Sequence, residues 1–179
     1  MKSTGIVRRI DDVGRVVIPR ETRQKLRIRG GDPLELYTGD NEELILKKYS
    51  PVGEIRNLAA TCVTAAASAT ALPVLVCDTN QVIAVAGTSR DEMMGRAVSA
   101  DLIEMGDARR KYRAWPGEEQ LLPILDCLVP ARAAAPIIAM GDVTGYVVLL
   151  QGGPHRKSTP VDAAIVDLLA DILARETEG

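Results

Sequence analysis

The sequence predicts two α+β units joined by a helix: a small strand-rich unit over residues 1–50, a helix over 51–72, and a larger mixed unit over 73–179. Three observations carry this expectation. Short β-branched runs flank turn residues near the N terminus, apolar residues recur at heptad spacing after Ser50, and buried-strand runs alternate with helix starts from Pro73 onward.

In the first unit, runs 6–10 and 16–18 flank Asp11, Asp12 and Gly14, which are turn residues, and Pro19 opens a short helical run. Gly30-Gly31 stops that helix and Asp32-Pro33 turns the chain. Leu34 and Leu36 then alternate with Glu35 and Tyr37, residues 39–41 make a hairpin turn, and Leu44 and Leu46 alternate with Ile45 and Lys47. Two strand pairs around one short helix result. About fifty residues bury too little surface to fold alone without disulfides, metal or a partner. This segment holds neither cysteine nor histidine, so a partner chain is the remaining stabiliser.

Ser50-Pro51 has the form of a helix start, with Ser at the N-cap and Pro at the first helical position. Along the helix Ile55, Leu58, Cys62, Ala65, Ala69 and Leu72 make a heptad seam. Such a seam packs either against its equivalent in another protomer or over the sheet of the following unit.

In the second unit, runs 74–77 and 82–86 read as buried strands joined by the turn Asp78-Thr79-Asn80. Ser89 could cap a helix over 90–95 and Ser99 a second over 101–105. Residues 106–120 are the least regular. Strand-like runs return at 124–129, 136–139 and 146–150, the last two joined by Gly141-Asp142. Ser158-Thr159-Pro160 starts a helix with Val161, Ile165, Leu168, Leu169, Ile172 and Leu173 on one face. A central antiparallel sheet with helices at its beginning and end follows.

Charge divides the chain. Residues 1–29 hold nine Lys/Arg against three acids, a net +6, whereas residues 30–50 carry −3 and residues 51–179 carry −5, leaving −2 for the whole protein. A positive patch on an acidic protein is the footprint of a polyanion-binding surface. Most of the charge is arginine, whose planar fork grips phosphates and guanine edges in pairs of hydrogen bonds. Arg8 and Arg15 flank the Gly14 turn, and Arg20, Arg23 and Arg27 recur at helical spacing on one face.

Other chemistries find little support. His155, the single histidine, lies in the loop Gly152-Gly153-Pro154-His155-Arg156, with no nucleophile elbow around it, and those glycines lack the downstream Gly-Lys-Ser/Thr of a phosphate-binding loop. Cys62, Cys77 and Cys127 are too widely spaced for a metal site and read as small core residues. The sequence therefore predicts no enzyme, metal or cofactor. No apolar run reaches the roughly 18 to 20 residues needed to span a bilayer, and the N terminus lacks a signal-peptide core, so a cytoplasmic protein is expected.

Residues 2–49, with STGIVRRID, GRVVIP, the following helix, GDPLELY and ELILKKY, resemble the DNA-binding domain of the AbrB family of transition-state regulators. The segments API, GDVTGYVVLL and the closing helix resemble a GAF domain, and the order of segments is similar to that of sporulation regulators of this family over essentially the full chain. The resemblance implies a swapped-hairpin β-barrel made by two interlaced chains, followed by an α+β GAF-like domain that assembles the oligomer, plausibly a homotetramer, and could sense a small molecule. Arg8, Arg15 and Arg23 match the family's DNA-contacting arginines. Where the family often has a second basic residue next to the last of these, this chain has Gln24, and Arg20 can compensate.

The function implied is a transcription regulator of late sporulation genes in the forespore, binding double-stranded DNA by sequence or by shape. Arginines on short strands and turns can enter a narrowed A/T-rich groove without a recognition helix. Any small-ligand pocket in the second unit is expected to have Cys77, Asp78, Thr88 and Ser89 on its rim. An alternative function is that of an antitoxin, because the same barrel occurs in MazE-like and VapB-like antitoxins. Those usually carry a short disordered tail, whereas about 130 residues here follow the barrel in globular composition.

Overall fold

The computed structural model describes residues 5–26, 28–39, 42–153 and 157–178, and the chain divides into two compact units, Met1–Tyr49 and Ser50–Gly179. In the first unit a tight turn is closed by Asp11 N–H on the Arg15 carbonyl (3.0 Å) and Gly14 N–H on the Asp11 carbonyl (2.9 Å). Gly14 takes φ +82°, which glycine adopts without a Cβ penalty. Helix α1 (Arg20–Lys25) follows Pro19, whose carbonyl accepts the Arg23 N–H. Strands β1 (Leu34–Thr38) and β2 (Leu44–Lys48) pair antiparallel from Leu34↔Lys48 to Thr38↔Leu44. Of the expected hairpin turn at 39–41, Asp40 and Asn41 lie outside the described residues, as does Arg27 of the arginine face.

Runs 6–10 and 16–18, expected as strands, form no ladder in the single chain. The reason lies in burial. None of the described residues of the first unit is buried, and Val7, Ile10, Val13, Val17, Leu36 and Leu44 are all exposed. The register sets Leu36 opposite Leu46, so this sheet has an apolar face that nothing in the unit covers.

The second unit covers its own apolar surface. Five antiparallel strands stand in the order β4 (Val82–Ala86), β3 (Val74–Asp78), β7 (Asp142–Leu150), β6 (Ala131–Ala139) and β5 (Tyr112–Arg113). Side chains alternate across it. Val74, Val76, Val147 and Leu149 face one core, with α2 (Pro51–Glu54), α3 (Arg56–Thr70) and α6 (Pro160–Glu178) packed over it. Leu75, Cys77, Tyr146 and Val148 face a second core, closed by α4 (Arg90–Met93), α5 (Ala100–Asp107) and buried residues of the 121–127 segment. Both faces of the central strands are thus dry, which explains their unbroken apolar runs.

Several elements differ from the sequence expectation. Run 124–129 is not a strand: Ile124 makes one isolated bridge with Val98 and Asp126 turns at φ +56°, in a segment bracketed by Pro123 and Pro130. Strand β6 begins at Ala131, five residues early, because its alanines have low β-propensity and become a strand only by pairing with β7. The helix expected over 51–72 is two, α2 and α3, parted at Ile55; α3 packs on its own sheet through Ala59, Cys62, Val63 and Ala66, with Ile55, Leu58 and Leu72 of the heptad seam against the same core and Ala65 and Ala69 exposed. On α6, Val161 and Leu168 face solvent, and Asp162 is inside with Val166, Leu169, Ala170 and Leu173.

Asp162 sets that rotation. Its carboxylate accepts from Arg132 Nε (2.7 Å) and from the Thr159 N–H (2.7 Å), and the Thr159 hydroxyl accepts the Asp162 N–H, forming a capping box that ties α6 to β6. Arg113 adds a two-pronged grip on Asp167 (2.9 and 3.0 Å) from β5. Burial alone would raise the Asp162 pKa, but the Thr159 N–H, the Arg132 guanidinium and the Thr159 hydroxyl outweigh it and hold the group below its ordinary 3.8. A lowered folded-state pKa gives stability that is complete above the unfolded value and is lost as pH falls through the folded one. Asp162→Asn is therefore expected to cost on the order of 3 kcal/mol at pH 7 by leaving Arg132 without its ion partner. In acid melts, its deficit relative to the intact protein should shrink below about pH 4, which is where protonation removes the same interaction.

Candidate nucleic-acid interface

The Asp11–Arg15 turn presents one of the arginines read from the sequence. Arg15 has a side chain 78% exposed, and its Nε lies 3.2 Å from Asp11 Oδ2. Arg8 is exposed on the extended segment before the turn. Arg20 and Arg23, three residues apart on α1, share a helix face, with Arg20 exposed and Arg23 partly buried. Arg23 Nε donates to the Ile18 carbonyl at 3.2 Å, anchoring the side chain to the segment that enters the helix. Arg15 and Arg23 are thus both held at Nε, which leaves the outer NH1 and NH2 edge of each guanidinium for another acceptor. Gln24, next to Arg23, is exposed.

Chemically, this is a surface for an extended polyanion. The described part of residues 5–29 exposes its cations apart from Arg23, which is partly buried, and an open row of guanidinium groups suits a repeating phosphate backbone. The Asp11 contact was not legible as a functional feature, because a turn aspartate needs no further role. Its spacing of four residues from Arg15 was the available signal.

In the second unit, the four residues expected on a pocket rim lie at different depths. Cys77 is fully buried in the core of α4 and α5, and Asp78 is turned onto its own hairpin, accepting the Asn80 and Gln81 N–H groups (both 2.7 Å). Thr88 and Ser89 are exposed in the loop before α4. Apolar side chains such as Tyr146, Leu102 and Met105 share that core with Cys77. A cleft of about 320 Å³ lies elsewhere, between α5 and the 110–121 segment, with Asp101, Glu104, Arg110, Lys111, Tyr112 and Glu119 on its walls. Sequence reasoning missed it because Arg110, Lys111, Tyr112 and Glu119 fall in the irregular segment, with nothing to place them against Asp101 and Glu104 of α5.

Among the described residues, no group of three or more His, Cys, Asp or Glu could hold a metal, and no helix is long and apolar enough to cross a membrane. His155 lies outside the described residues. Burial, with the adjacent Asp78 charge, pushes the Cys77 thiol far up, and burial also raises Cys62. The thiolate is the reactive form, so Cys77 is expected to resist iodoacetamide in the native protein and to react only after denaturation. Peptide mapping checks this, and native-state labelling of Cys77 would contradict its buried placement.

Comparison with known proteins agrees with this division. Residues 54–178 match the family described as stage V sporulation protein T C-terminal, transcription factor, and residues 7–54 match the MazE antitoxin family, described as antidote-toxin recognition. The chain is 39% identical to stage V sporulation protein T of Bacillus subtilis over 179 residues, covering 99% of each. It is 61% identical over 51 residues to the transition state regulatory protein AbrB of the same organism, spanning 28% of this chain and 52% of that protein. The GAF domain of an Acinetobacter phosphoenolpyruvate-protein phosphotransferase superposes with TM-score 0.56 at 12% identity, over 71% of this chain and 87% of that domain, a likeness of fold alone. With a family match over most of its length and a full-length relative, the chain belongs to the stage V sporulation protein T family of transcription factors, and joins an AbrB-like DNA-recognition domain to a GAF-like domain.

Proposed function

We propose that this protein is a cytoplasmic transcription regulator of late sporulation genes, acting in the forespore, that grips double-stranded DNA through Arg8, Arg15, Arg20 and Arg23 of an interlaced dimer. The observation that carries the reading is that the first unit buries none of its described residues while exposing both its arginines and its apolar side chains. The apolar set calls for a second copy of the chain, and the charged set calls for a polyanion. Two protomers would double the arginines on one surface, and the partner such a surface fits is the DNA backbone and a narrowed groove. The GAF-like domain then extends the assembly, plausibly to a homotetramer, and the mixed-charge cleft on α5 is a candidate place for a small effector.

The antitoxin reading has one observation behind it, the match of residues 7–54 to an antitoxin family. The regulator reading is favoured because the remaining chain is a folded two-core unit rather than a tail that wraps a toxin.

Binding of the intact protein to an A/T-rich promoter duplex across a salt series is the direct test. If four arginines per protomer meet phosphates, affinity should fall by roughly seven log units per log unit of salt. Arg15→Ala should weaken binding and flatten the slope by about two units in the dimer. No binding by the intact protein at moderate salt would sink the reading. Assembly is checked separately: the first unit should unfold at a temperature that rises with protein concentration, as an obligate dimer requires. A concentration-independent transition at the same position would argue for a monomeric fold.

A further inference from the structure

Asp11 occupies an odd place for an acid, in the middle of the most basic stretch of the chain and on the turn that carries Arg15. If net charge alone drove DNA binding, this carboxylate would only oppose it. Its hydrogen bonds give it a different task. Oδ1 accepts the Val13 N–H (3.1 Å) and the Arg15 N–H (2.7 Å), while Oδ2 accepts Arg15 Nε (3.2 Å). The backbone bonds between Asp11 and Arg15 and between Gly14 and Asp11 close the same turn. Oδ1 is thereby fixed by the main chain, which aims Oδ2 at the Arg15 side chain.

We infer that Asp11 is a positioning residue for DNA recognition: it clamps Arg15 at Nε and so points the NH1/NH2 edge of the guanidinium outward as a preset fork for phosphate or a groove edge. The inference rests on the DNA-binding reading of this surface. An arginine has five N–H donors in a rigid plane, and engaging the Nε donor leaves the four of NH1 and NH2, two of which point from the far edge. That edge is the one that pairs end-on with two acceptors. An exposed pair of this type adds little to fold stability, so its consequence is orientation. Without the clamp, Arg15 is a long, freely rotating side chain that must be ordered anew on each binding event.

Asp12 supplies an internal control, because it carries the same charge next door and takes no part in the hydrogen bonds of the turn. The full-length protein and its Asp11→Asn, Asp12→Asn, Arg15→Ala and Asp11→Asn/Arg15→Ala variants would be titrated with one A/T-rich duplex at fixed salt. Asparagine at position 11 keeps an acceptor for the two turn N–H groups but loses the anionic grip on Nε. The expected result is binding about tenfold weaker for Asp11→Asn, unchanged or tighter binding for Asp12→Asn, and no further loss when Asp11→Asn is added to Arg15→Ala.

The Arg15 Nε–H resonance, followed by NMR in the DNA-free protein, gives a readout that DNA affinity does not enter. It should shift and exchange faster with water in Asp11→Asn, and stay in place in Asp12→Asn. Dimer mass and thermal midpoint are expected to be unchanged in both. Asp11→Asn binding as tightly as Asp12→Asn would overturn the inference while leaving DNA binding intact. So would an additive loss in the double variant, which would assign Asp11 a role independent of Arg15. If the intact protein binds no duplex, the reading itself fails, and a responsive Nε–H resonance would then describe only a surface ion pair.

Discussion

A chain segment of about fifty residues that buries none of its described residues cannot hold a unique fold by the usual means, because hydrophobic burial is the main term offsetting chain entropy. In the first unit Val7, Ile10, Val13 and Val17 stand exposed on the segments around the turn, and Leu36 and Leu44 stand exposed on the small sheet. Local interactions do not replace that loss. The Lys48–Asp32 pair (3.1 Å) and Lys47 over the Tyr37 ring (4.4 Å) are contacts worth at most about a kilocalorie per mole each. On the proposed assembly, folding of this unit and pairing with a second copy are one event. The DNA-facing arginines would then exist as an ordered surface only in the dimer.

The second unit obeys the opposite logic. Its central strands are dry on both faces, β5 and β6 are tied to α6 by Arg113–Asp167 and Arg132–Asp162, and its largest buried side chain, Tyr146, is held inside a closed core. Among its described residues, both cores are built from elements of the same chain. Any oligomer contact it makes is free to be a matter of regulation rather than of stability. Its acidic balance also matters: with −5 over residues 51–179, this unit would repel a phosphate backbone, so polyanion binding stays confined to the N-terminal stretch.

The sequence made some of this legible and hid the rest for identifiable reasons. Runs 74–77 and 82–86 can be read directly because strands buried on both faces are continuous in Val, Ile and Leu. The start of β6 could not, since five residues of Ala131-Arg132-Ala133-Ala134-Ala135 carry helix propensity and are strand only by virtue of their neighbour. The face of α6 was misread because the count of apolar residues put Val161 and Leu168 inside, whereas a buried charge, Asp162, decides the rotation. The same limit applied to the helix after Ser50, where a heptad spacing is compatible with several packing stripes. Arg8, Arg15, Arg20 and Arg23 were visible as charge and spacing; what anchors Arg15 and Arg23 was visible only in coordinates.

That anchoring bears on how a surface without a recognition helix could discriminate between DNA sequences. Phosphate contacts alone set register and affinity but carry no sequence information, and a flexible arginine follows whatever negative potential is nearest. A guanidinium held at Nε cannot do so freely. Arg15 is held by a carboxylate and Arg23 by the Ile18 carbonyl, so each fork has its direction set by the protein before DNA arrives. A groove of the wrong width then presents its phosphates off the axis of those forks, and the mismatch costs hydrogen bonds instead of being absorbed by side-chain rotation. On the proposed DNA-binding surface, forks held on an exposed turn and a short helix would convert DNA shape into binding energy, at positions where no base edge need be touched.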